Sequence, residues 1–138
     1  MKRKHIITAV AMLALVLMLA GCGKSEFGVV INEDYNVEIT AVNASVDSSG
    51  AAGTFSVGEG EKVLIEPAFE KGSVLVQFYT LEEELNEGNM FPKGDPAYEI
   101  EISGTDPTEC GLAQGDYLVQ ATVKEKANGS AVIETKSE

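Results

Sequence analysis

Apolar and charged residues alternate without a break through Tyr98-Glu99-Ile100-Glu101-Ile102, the pattern of a strand with one dry face and one wet face. Similar short runs, rich in β-branched and aromatic residues and bounded by turn residues, follow one another along most of the chain. The pattern predicts strands over 27–31, 37–42, 53–57, 62–67, 73–80, 98–103, 116–125 and 131–135. No stretch keeps a long 3.6-residue period, and there is no internal repeat. The expected fold class is all-β, one domain over 27–138.

Two turns can be tested against the apolar pattern, because a slip of one residue exchanges the faces of a strand. A two-residue turn at Lys71-Gly72 sets Phe69 against Val74, Pro67 against Val76 and Ile65 against Phe78, so one side becomes continuously apolar. Asn128-Gly129 also looks like a two-residue turn, but that would set Val123 against Glu134. A three-residue loop, Ala127-Asn128-Gly129 with Gly129 left-handed, sets Val123 against Ile133 and is the expected register.

One short helix is expected near 80–87. Thr80-Leu81-Glu82-Glu83 matches a capping box, its glutamates suit the positive end of a helix, and Gly88 can end it. The connection over 86–97 is rich in Asn, Gly, Pro and Lys, yet it carries Met90 and Phe91. Exposed on a loop, that pair would make a contact tip for a partner; folded inward, Phe91 would close the end of the core.

The start of the chain follows a different pattern. Met1 to His5 is basic, and residues 6–20 are apolar except for Thr8, a run too short to cross a bilayer comfortably but suited to a signal peptide. The run ends in Leu19-Ala20-Gly21-Cys22, which resembles the lipobox of bacterial lipoprotein precursors. The resemblance implies that lipid is attached to the Cys22 thiol. It also implies that signal peptidase II, recognising Leu19, Ala20 and Gly21, cuts just before it. Residues 1–21 would then be a signal peptide and 22–26 the anchored cysteine and a short tether. Gly23 is similar to the residue that follows the cysteine in Gram-positive members. The implied location is the extracytoplasmic face of the cell membrane, with the membrane itself as the partner of Cys22.

A second resemblance lies in Leu112-Ala113-Gln114-Gly115-Asp116-Tyr117-Leu118-Val119. It is similar to the tyrosine corner of Greek-key sandwiches, where a Tyr opens a late strand and its hydroxyl bonds to upstream backbone. Tyr117 would be that structural corner. Val119 stands where immunoglobulin domains have their second cysteine, and the chain has no Trp. The implied architecture is therefore a general immunoglobulin-like, antiparallel Greek-key β-sandwich.

Composition narrows the function. Of the 10 basic residues in the 138-residue chain, Lys2, Arg3 and Lys4 lie in the leader, so the remainder keeps 7 Lys against 22 acids, a formal charge of −15. A surface of that sign repels nucleic acid. His5, the sole His, and Arg3, the sole Arg, also belong to the leader. The mature domain thus lacks the commonest general base and the fork that grips phosphate or carboxylate. Cys110 has no partner once Cys22 is acylated, and no His to activate it; it reads as an inert, partly buried side chain.

Asn32-Glu33-Asp34, Asp47, Asp95, Asp106, Glu109 and Asp116 are abundant oxygen donors, but no calcium-loop spacing joins them, so solvated acidic loops are expected and no metal. Paired carboxylates for glycoside cleavage carry no information among 22 acids. The glycosylation-type triplets at Asn43 and Asn128 read as chance. No catalytic residue and no cofactor are expected. The expected function is a binding or accessory module that meets a membrane protein or envelope component close to the bilayer. The alternative is a structural or protective acidic surface protein.

Overall fold

The computed structural model describes residues 25–83, 90–92 and 94–137. Cys22 and its lipobox neighbours Leu19, Ala20 and Gly21 lie outside the described residues, as do 84–87 of the expected helix. The described chain is all-β, with eight strands: β1 (Glu26–Ile31), β2 (Val37–Ala44), β3 (Ser49–Val57), β4 (Glu61–Glu83), β5 (Met90–Pro92), β6 (Tyr98–Ile102), β7 (Thr108–Cys110) and β8 (Gly115–Ser137). Among the described residues no helix is long and apolar enough to cross a membrane.

β4 and β8, 23 residues each, set the architecture. They pair antiparallel from Glu61↔Ser137 to Thr80↔Tyr117, and both bend in the middle. Beyond the bend on one side, the C-terminal half of β8 and the N-terminal half of β4 form a sheet in the order β1-β2-β8-β4-β7. On the other side the remaining halves form a sheet in the order β3-β8-β4-β6. The layers are joined through the shared strands β4 and β8. This continuity differs from the Greek-key, immunoglobulin-like sandwich of separate sheets suggested by Tyr117 and its neighbours.

Both expected hairpins are corrected here. Lys71-Gly72 and Ala127-Asn128-Gly129 do not reverse the chain; they are where β4 and β8 bend past each other, with register shifts between Phe69 and Val74. At Gly72 (φ 86) a Cβ would lie 2.3 Å from the Lys126 carbonyl oxygen, and at Gly129 (φ 145) 2.3 Å from the Ala68 carbonyl oxygen. Each glycine is therefore needed for a close backbone approach. The face test could not separate the two cases. Phe69 and Val74 are both buried, whether they oppose each other across a hairpin or follow each other along a bulged strand.

The expected helix is also corrected over Thr80–Glu83, which continues β4: Thr80 pairs with Tyr117, and Leu81, Glu82 and Glu83 pair with Pro92, Phe91 and Met90. A strand partner at each position, β8 at Thr80 and β5 over Leu81–Glu83, outweighs a local capping signal worth about 1 kcal/mol. The same pairing turns Met90 and Phe91 from loop residues into strand β5; their side chains lie outside the described residues. Elsewhere the alternation reads directly. β6 buries Ile102 and half-buries Tyr98 and Ile100, while Glu99 and Glu101 are exposed. The core combines Val37, Ile39, Val63, Ile65 and Ile133 from one layer with Phe55, Val76, Phe78 and Val119 from the other.

Candidate functional site

Phe78, with no exposed surface, lies at the centre of an aromatic group: Phe55 and Tyr98 at ring-centroid distances of 6.2 Å and Tyr117 edge-on at 6.4 Å. The Tyr117 hydroxyl donates to the Ala113 carbonyl at 2.7 Å, and burial raises its pKa. Tyr117→Phe is expected to cost about 1–2 kcal/mol, because a part-buried carbonyl loses its donor. Urea denaturation measures this; a loss below about 0.3 kcal/mol would mean that the bond holds nothing.

Cys110 packs beside Tyr98 in the same core. Burial pushes its thiol up to about 11, against a smaller opposing effect from the Tyr98 hydroxyl. It stays protonated at neutral pH, so it offers neither a nucleophilic thiolate nor a ready metal ligand. Among the described residues no three His, Cys, Asp or Glu side chains converge on a point that could hold a metal ion. The acids singled out above are spread over separate turns and strands, with Glu109 in β7 and Asp116 in β8. Asp116 accepts from Ser56 at 2.7 Å, and Glu109 lies 3.8 Å from Lys62 in an exposed ion pair of little energetic weight.

The most tightly specified surface feature is the turn between β1 and β2. Asn32 organises it. Its carbonyl accepts from Tyr35 N at 3.0 Å, and its Oδ1 accepts from Asp34 N at 2.9 Å and Asn36 N at 3.1 Å. Its Nδ2 donates to Glu38 at 2.7 Å, and its backbone N donates to Asn36 O at 2.9 Å. From the sequence, Asn32, Glu33 and Asp34 are oxygen donors in a polar stretch, and no pattern singles out Tyr35. Yet Tyr35 has φ 62 and is 80 % exposed, which makes it the most exposed of the large hydrophobic residues in the described chain.

The other end of β1 is tied down as well. The Ser25 hydroxyl donates to the Asn43 carbonyl at 3.0 Å, and all six residues of β1 pair in register with β2. An open groove lined by Ser25, Glu26, Phe27, Gly28 and Thr40 lies at that end. No protein-family model matches the chain, and no curated protein or solved structure does either.

Proposed function

We propose that this protein is a lipid-anchored binding module, held through Cys22 on the extracytoplasmic face of a bacterial membrane and acting by contact with a membrane-protein or envelope partner. One observation carries this reading: a basic start, a short apolar run and Leu19-Ala20-Gly21-Cys22 stand in the order that lipoprotein processing requires. Two or more acyl chains on such a cysteine give durable anchoring where one would not. The tether supports action near the bilayer. Gly23 and Lys24 alone separate Cys22 from Ser25, whose hydrogen bond to Asn43 already belongs to the domain. Two residues reach only about 7 Å when extended.

Contact is favoured over catalysis because the residues after Cys22 contain no His and no Arg, and the remaining Cys is a buried thiol. Cys22→Ser is expected to abolish lipid labelling and release the protein from the membrane fraction or leave it uncut. Radiolabelled acyl incorporation and fractionation measure both. Normal processing and retention of the variant would overturn the anchor.

A further inference from the structure

We draw no further inference here: the strongest candidate, the face of β2 and β8 that points away from the core, where Val42 and Val132 are buried apart from the core cluster beside the buried Asn36 Nδ2 and Ser130 Oγ, which have no hydrogen-bond partner among the described residues, carries nothing because nothing in the structure shows what covers it.

Discussion

Gly129→Ala is expected to destabilise the domain by about 4 kcal/mol or more, a large part of the total stability of a domain this size. The added Cβ would lie 2.3 Å from the Ala68 carbonyl oxygen and 2.6 Å from the Phe69 Cα, at φ 145. Backbone cannot rotate away as a side chain can, so β4 and β8 must separate at the corner to admit the methyl group. Gly72→Ala meets the same obstacle from the other strand, with Lys126 O at 2.3 Å and Ala127 Cα at 2.5 Å. Gly104→Ala is the control: its φ is 63 but nothing lies within 4 Å, so it should cost only about 1 kcal/mol of backbone strain. Urea titrations of the three variants separate crowding from strain. Equal losses in Gly129→Ala and Gly104→Ala would show that the close approach carries no weight.

Phe78→Ala is the second large effect, expected at about 3–5 kcal/mol. Phe78 has no exposed surface and touches rings from three other strands, Phe55 on β3, Tyr98 on β6 and Tyr117 on β8. None of these can fill the space without leaving its own pairing, so the cavity should persist. Phe78→Leu, which keeps most of the volume, should cost less than half as much. A loss under about 2 kcal/mol for Phe78→Ala in chemical denaturation would mean that the core collapses around the gap.

Side-chain period was the legible part of the fold. A two-residue alternation has one physical cause, a pleated backbone with one face dry, and Tyr98 to Ile102 states it without competition. The ladders of β1, β2 and β6 fall where that alternation places them. Direction was not legible. Gly72 and Asn128-Gly129 signal that the backbone leaves the ordinary strand region, but a left-handed residue serves a reversal and a bend equally well. Only contact between β4 and β8, more than 50 positions apart in sequence where Lys71 meets Asn128, decides between them.

The same limit explains Thr80–Glu83, whose capping signal is local and whose strand partners, Tyr117 and residues 90–92, are not. β5 and β7, three residues each, are too short to show a period at all. Tyr35 was missed for a related reason. Its conformation follows from the count of residues between two paired strands, which the sequence leaves open by one or two positions.

The shared strands also dictate an order of assembly. β8 is the central partner of β2, β3 and β4, and it is the last of the described strands in sequence order. Until residues 115–137 have been made, each layer lacks its middle member, and only short-range ladders such as β1 with β2 can close. A chain built this way cannot complete either layer ahead of the other, and most of its pairing waits on long loop closures. Under the proposed export through a membrane, a late central strand is an advantage: the chain would remain threadable while it is being synthesised, and would fold as one unit after it emerges.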